Sequence, residues 1–570
     1  MAFDGDLKPH SESCQKRALK WKQRGDKRLA EQQQHMLLWQ TIAELFYPER
    51  ADFTSQWAGG DERYKGIYTS QPQQMRRDLS TTLGAMLRPR GRRWFRMVVR
   101  PDGLMQSDDV KRWCETATDK QWSVVYDPRA NFARAMSESD ADYVTFGNSV
   151  LAHTYNMNQD GVFFRCCHLR DCAWAENALG VVDELHEKMK LELRQIAALF
   201  GGPEFLPKDW QRKLKEDPTD KKVIRRCVAP IDEYDYDQKE RAFRAAGMQF
   251  ASIYIAEGVQ DEECFLGERY FRVFPYLVRR WMTVSGENYG RSLCTGIALA
   301  DGRTLNTAQA DLLQSIEWAV NPPRTAPDET MVGEVRLQAG EVIYTNAEYD
   351  TRTGKPFDMI ETGDPRYGME LTDRIREDMG NAFFRNILQY LPDKEMTAFE
   401  VGQHLERFTA EAAPIFEPME ADNAQLMEGV FYRAADKDAF GPMEAWPEDL
   451  IYTPDASVEF EFETPLSDAM KKQTLNQADQ LTARIVPMAE INPSVLDNFD
   501  FDQVARDVGE ASGPLKWVKR EEDRDAEREQ RAETQAAQEQ AAMALEAGKA
   551  VVSARPENLR MIEQAFTEGD

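Results

Sequence analysis

Val458-Glu459-Phe460-Glu461-Phe462-Glu463 alternates apolar and acidic residues without a break, the two-residue period of a strand with one covered face. Pro442, Pro447, Pro454 and Pro465 crowd around it, and segments that read as helix lie on both sides. Upstream, Thr397-Ala398-Phe399-Glu400 has capping-box spacing and starts a helix. Pro414 and Pro418 interrupt that helix, and Leu426, Met427, Val430 and Phe431 continue one apolar face to about 435. Downstream, 466–486 reads as helix stopped before Pro487, then a loop over 487–498 and a short helix within 500–511. A loop-and-strand module set between two helices predicts an α+β, predominantly helical, multidomain chain.

Working outward, residues 12–47 read as helix broken near Gly25, and 72–87 as an amphipathic helix stopped by Arg88-Pro89-Arg90-Gly91. Trp94, Phe95, Met97, Val98 and Val99 suit a strand, and helix returns over about 108–153 with a break near Asp127-Pro128. Val162–Cys167 and Cys172–Ala175 read as strands around a polar turn. Leu185, Met189, Leu193, Ile196 and Leu199 predict a helix over 183–200, closed by Gly201-Gly202-Pro203. Segments within 223–281 read as antiparallel strands. From 304 the chain turns helical, with Leu371, Ile375, Met379, Phe383, Ile387 and Leu391 at four-residue spacing. Residues 515–547 contain no Gly or Pro and lack an apolar seam, so a helix there needs neighbouring copies or stays solvated.

The 570 residues suffice for three or four domains. Lys and Arg number 71 against 98 Asp and Glu, a net charge of −27. So acidic a surface argues against gripping nucleic acid over a broad face. Eight cysteines suit a reducing compartment, and no signal architecture or membrane-length apolar run is expected. Catalytic motifs fail: no phosphate-binding loop is present, Gly290-Arg291-Ser292-Leu293-Cys294 lacks a second glycine, and His186-Glu187 lacks its second histidine. Asp102, Asp109 and Lys111 are spaced too closely for a metal-dependent nuclease on adjacent strands. Cys166, Cys167, His168 and Cys172 offer soft donors, but adjacent strand residues face opposite ways, so buried structural thiols are favoured over zinc. No catalytic, cofactor or metal residue is therefore assigned, and no cofactor is expected.

Arg88, Arg90, Arg92, Arg93, Arg96 and Arg100, interleaved with Trp94 and Phe95, form a basic island. It suits nucleic-acid contact or pairing with acid on an adjacent domain or subunit, and the abundance of acid favours pairing.

Several segments in order resemble the portal, or head-to-tail connector, proteins of short-tailed bacteriophages. These are Leu87-Arg88-Pro89 leading into Trp94-Phe95-Arg96-Met97, Phe146-Gly147-Asn148-Ser149-Val150-Leu151, and Gly180-Val181-Val182-Asp183-Glu184-Leu185. Gly286-Glu287-Asn288-Tyr289-Gly290-Arg291-Ser292 and Met396-Thr397-Ala398-Phe399-Glu400-Val401 complete the set, which spans about 80–520. The resemblance implies a non-enzymatic homo-oligomeric ring of about twelve copies at one capsid vertex of the virion, assembled in the host cytoplasm. Double-stranded DNA passes through its channel during packaging and ejection. Terminase, scaffold, major capsid protein and tail adaptor are the implied partners, with no membrane.

By order of elements, 1–395 corresponds to the wing, 396–436 and 466–486 to stem helices, and 437–465 to the clip. Residues 487–498 correspond to the channel loop, 499–513 to a post-loop helix and 514–570 to the crown or barrel helix and tail. The channel-lining candidates are Glu400, Glu406, Glu411, Met488, Glu490, Asn492 and Ser494. Trp446, Phe460 and Phe462 are the adaptor-docking candidates, and Arg88, Arg90, Arg92, Arg93 and Arg96 the intersubunit or DNA-contact candidates. A metal-dependent DNA-processing nuclease, or another virion ring or ejection protein, is the competing expectation.

Overall fold

Helix α1, Glu12–Phe46, runs unbroken through Gly25 for 35 residues. The expected break fails because Gly25 serves close approach rather than bending. A Cβ there would lie 2.7 Å from His186 Nδ1 and 2.9 Å from Arg225 Nη1. The computed structural model describes residues 12–55, 58, 60–155, 161–234, 247–320, 324–325, 358–359, 365–385, 418–442, 445–453 and 457–462, with 483, 485, 487, 502, 504, 505, 508, 509, 524 and 526–543.

The chain divides into two units. In the first, α2 (Gln71–Leu87) and α4 (Phe132–Phe146) pack with α1, and two antiparallel sheets follow. One has the order β3 (Val162–Cys167), β2 (Asn148–Tyr155), β9 (Tyr276–Arg280). The other has the order β4 (Cys172–Glu176), β5 (Val182–Glu192), β6 (Lys221–Pro230), β7 (Phe250–Ala256), β8 (Phe265–Phe271). The strands on either side of the polar turn at 168–171 thus belong to different sheets. α5 (Leu193–Leu199) and α6 (Lys208–Glu216) close an apolar cluster with Ile224 and Tyr254.

Two further expectations change. Helix does not continue to 153: Gly147 ends α4 with φ +72°, and the chain turns directly into β2. Residues 183–192 are strand rather than helix. Their helical stripe is outweighed by pairing on both edges, Leu185 against Trp174 on β4 and Val228 on β6. Helix begins only at Leu193, where Glu192 and Gln195 form a capping box.

A large core joins Trp39, Ile42 and Phe46 of α1 to Leu79 and Leu83 of α2, Phe146, Val150, Trp174 and Tyr276. A second places Trp21 and Ala18 of α1 on Cys227, Ile253, Ile255 and Phe265. The short helix Ile231–Tyr234 (α7), the helices Ile297–Val320 (α8) and Pro365–Ala382 (α9), and the paired two-residue strands Arg324–Thr325 (β10) and Asp358–Met359 (β11) follow; Met379 and Phe383 join the core, whereas Leu371 at the head of the expected stripe is exposed. A helix over 418–435 buries Met419, Leu426, Met427, Val430 and Phe431, the face read from the sequence.

The second unit contains most of α3 (Asp108–Val125) and the short helix Glu448–Tyr452. Strand β12, Ser457–Phe462, pairs with β1, Phe95–Arg100. Among the described residues, 526–543 is helix, almost wholly exposed. No described helix is long and apolar enough to cross a membrane.

Candidate functional site

The basic island is split by burial. Arg88 leaves the C-terminus of α2 and points inward, where its guanidinium pairs with Asp140 of α4. Burial pulls its pKa down against the attraction of Asp140. Arg88 is therefore withdrawn from any surface contact, a correction to its place in the basic set. Arg90, Arg92, Arg93 and Arg96 are exposed, and Arg93 pairs with Asp119. Arg100, on the exposed face of β1, pairs with Glu459 at 3.0 Å.

Asp140 also accepts from Arg279 Nη1 at 2.8 Å, and Arg279 Nε reaches Asp422 of the 418–435 helix at 3.4 Å. Arg279 is fully buried, its guanidinium 4.3 Å from the Tyr143 ring centroid. Burial pushes the Asp422 carboxyl up to about 6, opposed by Arg279 and Arg280. Arg433 of the same helix donates to His153 Nδ1 at 2.8 Å, and Gly429 makes room for that ring, since a Cβ would meet it at 2.3 Å. Burial holds His153 well below its ordinary pKa. The helix is thus fastened to β9 by an ion pair and to β2 by a hydrogen bond, contacts that sequence periodicity could not reveal.

The docking candidates sit on apolar neighbours. Phe460 is buried, 6.1 Å from the Phe95 ring, and Phe462 stacks on Trp94 at 5.9 Å with 13° between planes. Phe460 is thus committed within the chain, whereas Phe462 is only partly buried. The exposed residues of β12 are Ser457, Glu459 and Glu461. Trp446 is half-buried, 5.0 Å from Trp113. Glu400, Glu406, Glu411, Met488, Glu490, Asn492 and Ser494 lie outside the described residues.

The thiols separate as strand geometry requires. Cys166 Sγ lies 3.6 Å from Asp142 Oδ2, whereas Cys167 gathers with Cys172 and Glu187 on the other side. His168 instead bonds Asp52 through Nε2 at 2.6 Å. Glu187 was missed by reading donors along the sequence, because the β4–β5 register brings it opposite Cys172. Asp109 and Lys111 fall in the first turn of α3, not on a strand beside β1.

What the described residues gather here is a set of buried ion pairs and packed aromatic faces. The family model for the bacteriophage head to tail connecting protein matches residues 20–514, and the chain belongs to that family. It is 25% identical over 515 residues to the portal protein of Salmonella phage epsilon15, covering 88% of each chain. It is 24% identical over 486 residues to the probable portal protein of Bordetella phage BPP-1, covering 83% of this chain and 84% of that one. A chain of the virion of a native gene transfer agent particle aligns with TM-score 0.34 and 10% identity, over 75% of this chain and 90% of that one. A chain from the neck of the native particle, computed with C12 symmetry, aligns with TM-score 0.32 and 10% identity, over 73% and 85%.

Proposed function

We propose that this chain is the subunit of a ring-shaped portal at one capsid vertex, a passive conduit for double-stranded DNA and a docking ring for terminase and tail adaptor. The observation that carries the reading is the family match over 20–514, with portal proteins as relatives along most of the chain. Wing, stem, clip, channel loop and crown follow the boundaries set out from the sequence, and about twelve copies close the ring by head-to-tail contacts.

Charge supports the conduit. DNA carries one negative charge per ~1.7 Å of axis, so a cationic wall would arrest it. Each chain carries −27, so about twelve copies present a strongly repelling lining. The acids assigned to that lining are Glu400, Glu406, Glu411 and Glu490. At the clip, adaptor contact falls to Trp446, Phe462 and the exposed acids Glu459 and Glu461 of β12, in place of the buried Phe460. Arg90, Arg92, Arg93 and Arg96 serve contacts between subunits.

Two measurements test this. Electron microscopy of the purified full chain is expected to show holed rings, and monomers at high concentration would overturn the reading. Changing Glu400, Glu406, Glu411 and Glu490 together to Lys is expected to slow DNA packaging at least several-fold while rings still form. Unchanged packaging removes these residues from the channel.

A further inference from the structure

The end of β3 and the start of β4 bring together donors that no portal role requires. Cys167 closes β3, and a turn over Leu169–Asp171 returns the chain to Cys172, which opens β4. Each strand is an edge of its own sheet. Cys172 stands directly opposite Glu187 in the β4–β5 ladder, so their side chains share a face. The two Sγ atoms and a Glu187 carboxylate oxygen all lie within 4.8 Å of one another, and all three residues are 1% exposed or less.

We propose that Cys167, Cys172 and Glu187 bind a thiophilic divalent cation of the zinc class, which ties the edge of one sheet to the edge of the other.

Three observations fit that chemistry. Cys167 and Cys172 have the C-x4-C spacing of a zinc-binding turn. A tetrahedral zinc, with Zn–S of about 2.3 Å, holds its sulfurs about 3.8 Å apart, so the two sulfurs approach by about an ångström or less. The carboxylate is also already oriented by groups that do not compete for the ion. Arg165 Nη2 donates to Glu187 Oε1 at 2.6 Å and Tyr276 Oη to Oε2 at 2.7 Å, leaving a lone pair on each oxygen.

The charge balance closes as well. Arg226 is buried 4.9 Å from the Tyr276 ring centroid, and with Arg165 it faces Glu187 as the sole carboxylate of the donor set. A divalent ion on two thiolates and one carboxylate keeps the single net negative charge of the carboxylate alone, so both guanidiniums retain their counter-charge. Binding displaces the two thiol protons into solvent, and no electron moves.

Cobalt(II) is the probe, titrated into the reduced full-length chain. The expected result is one ion per chain, with a thiolate-to-cobalt charge-transfer band in the near ultraviolet, tetrahedral bands in the visible and displacement by zinc. Cys167→Ser and Cys172→Ser each abolish the thiolate band, and Glu187→Gln weakens binding at least about tenfold. Cys166→Ser, on the opposite face, leaves the spectrum unchanged. A folded wild-type chain that shows no thiolate band overturns the proposal, whatever the variants do. So does a band that survives both Cys167→Ser and Cys172→Ser, or that disappears with Cys166→Ser. None of these outcomes depends on the portal reading.

Discussion

Glu184 on β5 and Asp422 on the 418–435 helix are both drawn into the first unit, yet burial treats them oppositely. Glu184 accepts from Arg24 through both oxygens, at 2.8 and 2.6 Å, and from His186 Nε2 at 2.8 Å, with Arg28 at 3.5 Å. Burial works against its charge, but His186 and Arg24 win, and its pKa falls to about 2. Asp422 faces Arg279 at 3.4 Å, and that guanidinium is already committed to Asp140. There burial wins, and the pKa rises to about 6. Burial opposes the charge of both carboxylates, and Glu184 overcomes it because it has more donors and closer ones.

The largest expected effect separates the two sites outright. Glu184→Ala strands the fully buried His186 beside Arg24 and Arg225, and should cost about 3 kcal/mol in denaturant unfolding of the full chain. Asp422→Asn should cost far less at neutral pH, since the charge it removes is poorly compensated. Equal losses would erase the distinction.

The pH dependence sharpens it, because the two slopes have opposite signs. Glu184 has a depressed pKa, so its contribution is present above about pH 4.5 and lost as pH falls toward 2. Wild type and Glu184→Gln should therefore converge in stability over that window. Asp422 has a raised pKa, so its contribution is fullest below about pH 3.8 and lost as pH rises through 6. Relative to Asp422→Asn, wild type should gain stability on acidification from pH 7 to 4. Parallel pH profiles for the two pairs would contradict the assignment of donors.

The smallest effect is expected on the helix over 526–543. Glu533 there is exposed, and Glu533→Ala should shift unfolding of the isolated chain by no more than about 0.5 kcal/mol. A loss near that of Glu184→Ala would mean that the helix is packed.

The same contrast explains what could be read from sequence. Apolar patterning locates α2, the strands of 223–281 and the buried face of the 418–435 helix, because those elements bury what their pattern advertises. β5 defeated it. Glu184, His186 and Glu187 are buried there by partners far along the chain, Arg24 lying 160 residues from Glu184. No local window contains that information. Gly25 misled for the same reason, its neighbour being His186 rather than a bend. In the site, Arg88 looked like one of a surface set, and only the fold supplies Asp140 to bury it. Phe460 and Phe462 were read correctly as one face of a strand, but the sequence does not say that Phe95 and Trp94 cover it. The order of motifs, by contrast, was enough to reach the family.

α1 carries Trp21 into one core and Trp39 into the other, about 27 Å apart along its axis. A single rod therefore acts as a spine shared by both apolar clusters. A proteolytic fragment starting after Phe46 forfeits a tryptophan from each, and with them the one helix that both interiors share.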